Sequence, residues 1–268
     1  MEWWHFVIII LVSYFIGNIS FSRMFARFKH QDITKLGSGN AGSTNVLRNF
    51  GFKFGVLNLA LDILKGFAPA CFFYYIFGQN IIYLYTAGIS VMMGHIFPVV
   101  YKFKGGKGIA SMLGVFLAAD PIVTLIVIGV AIVVWFLFKY GSVASFVCVT
   151  ALTVIEGVKA KSLASPQNWI VSLMLFFIFC LTWFMHRTNI ERLLCGRESK
   201  VSLLKSIQKQ INKRKRANAI VKARKEHVSV VNVGANSNES TEVSEASKNN
   251  TTLVQSVQNE AKNKTEEK

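Results

Sequence analysis

The chain has 268 residues, of which 52% are apolar and only 16% charged. A soluble domain averages about 25% charged residues, so this balance excludes an ordinary soluble protein. The net charge is +16, and the four cysteines show no metal-ligand spacing or disulfide framework, which excludes a zinc module and a disulfide-stapled domain.

Apolar residues fill the chain from Met1 to about Met185 and almost vanish after Leu204. The predicted organisation is a membrane-embedded part over residues 1–199, a basic segment over 200–228 and a polar tail over 229–268. The first apolar run, Trp3 to Phe21, starts after Glu2 and is followed by Arg23, Arg27 and Lys29. Those flanks suit an uncleaved spanning helix better than a signal peptide. Further runs cover 54–77, 81–100, 108–119, 121–138, 142–156 and 168–185. Asp120-Pro121 separates two of them, because proline cannot continue the hydrogen-bond ladder of a helix. The expectation is an all-α, multi-pass membrane protein with about seven transmembrane helices; a short run that dips in and returns would lower the count to five or six.

Lys and Arg alternate between connections. Arg23, Arg27, Lys29, Lys35, Arg48 and Lys53 lie between the first two runs, Lys102, Lys104 and Lys107 in a later loop, Lys139 after the fifth run, and thirteen more between Arg187 and Lys225. The opposite connections hold only Lys159 and Lys161. Positive charge stays on the cytoplasmic side, so the N-terminus is expected outside and the C-terminus in the cytoplasm. Val201, Leu204, Ile207 and Ile211 recur at helical spacing within the basic segment, which suggests an interfacial helix on anionic lipid or a solvated basic helix. Nucleic acid is not an expected partner. Residues 229–268 lack aromatics and enough apolar surface to offset chain entropy, so disorder is expected there.

Three connections and one helix carry chemistry. Gly37, Gly39 and Gly42 spell G-x-G-x-x-G within GSGNAGSTNVLR, and Asp62 lies where a dinucleotide fold would place an acid. The setting between spanning helices rejects that fold. The anion chemistry remains: the glycines let backbone N–H groups approach a phosphate, Ser38, Ser43 and Thr44 can donate to it, and Arg48 offers a fork. Lys104-Gly105-Gly106-Lys107-Gly108 resembles part of a P-loop but lacks the Gly at 101 and the Ser or Thr at 108 of that motif. Two lysines around glycines, just before a helix start, still make an anion cradle. His186 and Asn189 share a helix face and could hold polyol hydroxyls. Asp62 and Lys65 lie three apart inside an apolar span, either orienting the adjoining loops or as a structural ion pair.

Taken in register, GSGNxGxTNxxR, DxxKG, GHxFPxxxxFKGGKGxA and HxxNIxRLxxGxE resemble the motifs of the PlsY family, bacterial acyl-phosphate:glycerol-3-phosphate acyltransferases, over about residues 5–199. The resemblance implies transfer of a fatty acyl group from acyl phosphate to the 1-hydroxyl of sn-glycerol 3-phosphate, with no cofactor or metal. It implies an active site on the cytoplasmic side of the cell membrane. Ser38, Arg48, Lys107, His186 and Asn189 would contact glycerol 3-phosphate. Gly37, Gly39, Asn40, Gly42, Thr44, Asn45, Lys104, Gly105, Gly106 and Gly108 would bind substrate phosphates, with Asp62, Lys65 and His95 in support. Position 111, often Thr in the family, is Ser here. A transporter for a phosphorylated solute and a non-catalytic anchor are the rival readings; no inverted repeat supports the first, and the three loops have no purpose under the second.

Overall fold

The structure, a computed structural model, describes residues 2–162, 168–198, 200 and scattered positions between 208 and 221. The described residues are helical or in connections. In order they form α1 (Trp3–Gly17), α2 (Phe21–Phe28), α3 (Ser43–Phe50), α4 (Phe52–Ile76), α5 (Ile81–Ile96), α6 (Ile109–Ala119), α7 (Pro121–Phe138), α8 (Gly141–Ser162), α9 (Asn168–Met185) and α10 (Arg187–Leu194). Among the described residues six stretches are long and apolar enough to cross a membrane: 3–28, 52–76, 81–101, 121–138, 141–161 and 168–185. The seventh expected span is α6, and it has only 11 residues. At 1.5 Å per residue it rises about 16 Å, half the hydrocarbon thickness of about 30 Å. The helix break at Asp120-Pro121 is where the sequence places it. Asp120 caps α7 by accepting from the Val123 N–H at 3.0 Å, and Pro121 takes the first helical position, where its missing N–H costs nothing.

α5 is the central helix: 78% of its apolar window is buried, against 17% for α7. It packs on α1, α4, α6 and α9, while α8 joins α7 to α9. The crossings rely on glycine. A Cβ on Gly66 of α4 would collide with the backbone carbonyl of Ser111 in α6, and one on Gly114 of α6 with that of Ile63 in α4. Gly17 of α1 and Gly94 of α5 meet in the same way. Such small-residue contacts let helix backbones approach in lipid, where no hydrophobic force drives helices together. Some polar side chains within the spans are satisfied locally, as when Thr86 and Ser90 donate to the carbonyls of Ile82 and Thr86, each at 2.7 Å.

The far ends of these helices carry two further clusters. His5 stacks on Phe77 with centroids 4.0 Å apart and lies 3.0 Å from the Tyr83 hydroxyl. Lys159 of α8 pairs with Asp120 and with Glu156, which accepts from Tyr85 of α5 at 3.5 Å. These bonds hold the α6–α7 turn level with the start of α5, so α6 runs beside α5 from its last turn back to its second.

The chain divides into two units, Met1–Ile207 and Gln208–Lys268. The described residues of the second unit are helical, and Gln208 donates to Asn212 at 3.2 Å, one turn on. The rest of the expected 200–228 helix and all of 229–268 lie outside the described residues.

Candidate active site

All three motif loops gather at one end of the first unit. The first loop leaves α2, makes a turn capped by Asp32, which accepts from the Thr34 N–H at 3.0 Å, and enters α3. Gly37 and Gly39 adopt φ of 55° and 69°, the left-handed region that glycine enters without strain. Asn45 holds the loop from beneath. Its carbonyl oxygen accepts from the Ser38 N–H at 3.2 Å, and its amide donates to Leu36 at 2.9 Å and Asn40 at 3.0 Å. Asn45 is buried, with its side chain turned inward. Its side chain shapes the loop that is expected to bind phosphate. Ser38 and Thr44 remain exposed on the loop and at the start of α3, and the N-cap Gly42 brings no capping side chain. The Ser43 and Thr44 N–H groups therefore lack an intrahelical acceptor, while the Asn45 N–H donates to the Gly42 carbonyl at 3.0 Å.

The second loop returns on itself. Gly105 N–H donates to the Ile96 carbonyl at 3.1 Å and Gly106 N–H to the His95 carbonyl at 3.0 Å. These bonds cap the end of α5, so both N–H groups are engaged by backbone carbonyls. The two glycines are needed for space. A Cβ on Gly106 would strike the His95 ring and come within 3.0 Å of the Ala41 carbonyl, so the first and second loops abut there. Gly108, at φ 83°, turns the chain into α6. The loop is moored outside by Tyr14, whose hydroxyl donates to the Phe97 carbonyl at 2.8 Å, and by Arg23, which donates to the Lys104 carbonyl at 2.5 Å. Lys104 itself is exposed.

The third motif completes the cluster. Lys107 donates to the Asn189 oxygen. The Asn189 amide donates to Glu198 at 2.8 Å, and Glu198 also accepts from Arg192 at 2.8 Å and from Ser142 at 3.2 Å. His186 is buried at the end of α9, with Nδ1 2.9 Å from the Thr182 carbonyl. A carbonyl only accepts, so Nδ1 carries the proton and Nε2 keeps its lone pair. Burial, with the neighbouring Lys107 charge, pulls the imidazole down to about 4, which leaves it neutral at pH 7.

Three cations, Arg48, Lys107 and Arg192, act on one another around the single carboxylate of Glu198. Burial lowers Lys107 to about 8, and Arg192 and Arg48 add to the shift against the pull of Glu198. Burial likewise weakens the Arg48 guanidinium, with Glu198 opposing. Burial works against the Glu198 carboxylate, but its bonds to Arg192 and Asn189 outweigh it and hold the group below its ordinary value. The surplus of positive charge is what a phosphate dianion would neutralise.

The family model described as Glycerol-3-phosphate acyltransferase matches residues 7–196. The chain belongs to the glycerol-3-phosphate acyltransferase family. It is 37% identical over 203 residues to a glycerol-3-phosphate acyltransferase of Finegoldia magna, covering 75% of this chain and 98% of that one. It is 40% identical over 194 residues to that of Aquifex aeolicus, covering 71% and 96%. Among solved structures it is similar to PlsY, an integral membrane glycerol 3-phosphate acyltransferase, in its glycerol 3-phosphate form. There the identity is 37% and the TM-score 0.69, over 75% of this chain and 98% of that one. The lysophosphatidic acid form of PlsY gives a TM-score of 0.67. The acyltransferase match ends at residue 196, just before Glu198.

Arg192 and Glu198 are the residues that sequence reasoning left out of the site. Both stand in the third motif, and the scarcity of acids on that side of the protein was the available signal. The buried trio of Asp62, Lys65 and His95 lies beneath the second loop, with Lys65 Nζ 3.0 Å from Asp62 and 2.8 Å from His95.

Proposed function

We propose that this chain is an acyl-phosphate-dependent glycerol-3-phosphate 1-O-acyltransferase of the cell membrane, working on the cytoplasmic side. The observation that carries the reading is the Lys107–Asn189 contact, which brings the second and third motifs together beside Arg48 and His186. The family and the glycerol 3-phosphate form of a similar PlsY support the acceptor.

Both substrates are anions, and the site must hold them together against their repulsion. Ser38, Arg48, Lys107, His186 and Asn189 hold glycerol 3-phosphate. Lys104 and the first N–H groups of α6, after Gly108, receive the phosphoryl group of the acyl donor. The 1-hydroxyl oxygen attacks the acyl carbonyl carbon, the bond from that carbon to the phosphate oxygen breaks, and inorganic phosphate leaves. Acyl phosphate is an activated mixed anhydride, so no covalent enzyme intermediate is required. The hydroxyl proton goes to the substrate's own phosphate or to Nε2 of His186.

The alternation of Lys and Arg supports the cytoplasmic placement, because every motif loop lies on the lysine-rich side. Although α6 is short, its course from the motif end to the Asp120–Lys159 end supports an odd number of crossings. The basic residues beyond Arg197 suit anionic lipid.

The test is an assay of purified protein in lipid with labelled glycerol 3-phosphate, offering acyl phosphate, acyl-CoA and acyl-carrier protein separately. Lysophosphatidate from acyl phosphate is expected. No product from any donor would refute the enzyme, and product from acyl-CoA alone would refute the donor. Deleting residues 229–268 is expected to leave the rate unchanged.

A further inference from the structure

Asn58, Asp62 and Lys65 lie on successive turns of α4 and are almost completely buried. A buried ion pair is tolerated only where the remaining hydrogen-bonding positions are filled. Lys65 meets that demand. Its ammonium reaches the Ile19 carbonyl at 2.9 Å, His95 Nδ1 at 2.8 Å and Asp62 Oδ1 at 3.0 Å. The contact with Asp62 is an ion pair, and two of the ammonium N–H groups are donated, to Ile19 and to His95. The same bond fixes His95: Nδ1 must accept, so the ring proton sits on Nε2, the atom against which Gly106 packs without room for a Cβ.

The other oxygen of Asp62 serves the other loop. Asn58 donates to Asp62 Oδ2 at 2.8 Å and to the Ser43 hydroxyl at 2.8 Å. Both N–H bonds of the amide are thereby used, while Asn58 Oδ1 has no partner among the described residues. With that buried acceptor unpaired, the two donations are what fix the side chain. Ser43 opens α3, directly after Gly42.

We infer that Asp62 is the common anchor of both substrate loops. Its Oδ1 holds the second loop through Lys65, His95 and Gly106, and its Oδ2 holds the first through Asn58 and Ser43. Asn58, Asp62, Lys65 and His95 are positioning residues that set the distance between two anion sites. Only the kinetic part of the test rests on the acyl-transfer reading.

The anchor is tested by hydrogen exchange on the full chain in lipid, read at the amides of Gly39 and Gly42 in the first loop and Gly105 and Gly106 in the second. All four donate to backbone carbonyls and report loop opening. Asn58→Leu should speed exchange in the first loop alone. His95→Asn, which keeps an acceptor for Lys65, should speed it in the second alone. Asp62→Asn should release both. In the acyl-transfer assay Asn58→Leu should raise the KM for glycerol 3-phosphate about tenfold while kcat changes less, because a displaced loop misplaces substrate rather than removing a reacting group. Unchanged exchange at Gly39 and Gly42 in Asn58→Leu, or faster exchange spread evenly over the helices, would overturn the proposal. If Asp62→Asn fails to fold, the two single-branch variants still decide it. A wild-type protein that transfers no acyl group would refute the function, while the exchange pattern would still decide the anchor.

Discussion

The Lys107 ammonium donates to the Asn189 side-chain oxygen, joining the loop before α6 to the first turn of α10 across 82 residues of sequence. Asn189 in turn donates to Glu198 at 2.8 Å, so the lysine is aimed by a chain of bonds that ends on a carboxylate. Lys107 thus stands between a partner that orients it and neighbouring cations that make room for an anion.

That position dictates a pH dependence. Burial and the nearby arginines lower Lys107 to about 8. Only the protonated amine attracts phosphate, so binding is full below that value and falls about tenfold per pH unit above it. A bound dianion favours the ammonium and raises its pKa. The profile of kcat/KM, which reports free enzyme, should therefore turn down near pH 8, and that of kcat at a higher pH. Coincident inflections would contradict the assignment. Lys107→Ala and Arg48→Ala should each abolish measurable turnover while the purified protein keeps its helical circular dichroism.

Glu198 accepts from Asn189, Arg192 and Ser142 through a side chain only 7% exposed. Glu198→Ala leaves Arg192 unpaired and frees Asn189 to rotate away from Lys107. The expected loss in kcat/KM is about 100-fold, the scale of a positioning error near 1 Å. Glu198→Gln keeps an acceptor and should lose less. Equal losses in the two variants would place the whole effect in the charge.

Gly106→Ala should inactivate, because the added methyl meets the His95 ring on one side and the Ala41 carbonyl on the other. Gly157→Ala is the control. A Cβ there has open space, and alanine is favoured over glycine in a helix by about 1 kcal/mol. Its activity should match the unsubstituted chain and its melting temperature should not fall.

His186 at about 4 predicts no inflection from this residue between pH 5 and pH 7. A drop in activity toward pH 6 belongs to the phosphate monoester, whose second pKa lies near 6. His186→Gln separates the two proton acceptors. A fall in kcat of about 100-fold or more marks Nε2 as the base, and near-full turnover assigns the proton to the substrate's phosphate.

Apolar runs and the Asp120-Pro121 break located the spanning helices, because span length and proline chemistry act locally. α2 and α3, each of 8 residues, gave no such signal, since helices this short form only against neighbours already in place, and α10 was legible only as the shared face of His186 and Asn189. The motif residues Arg48, Lys107, His186 and Asn189 were readable as anion and hydroxyl chemistry, and the fold brings them together. The direction of each N–H was not readable. Gly105 and Gly106 look like phosphate donors in one dimension and prove to cap α5, and Asn45 turns inward, because the carbonyls that claim them are set by tertiary packing.

The backbone contacts at Gly66 and Gly114 have a mechanical consequence. With no side chain between them, α4 and α6 cannot slide past each other without a steric clash, and α5 is enclosed by both. A bilayer that thins or thickens acts first on the lipid-facing α7, whose surface is mostly uncovered. If α4, α5 and α6 move as one body, they carry the first two loops with them. On that reading the spacing of the proposed site is insulated from the host lipid, and turnover should stay constant when the protein is moved between bilayers of different acyl-chain length.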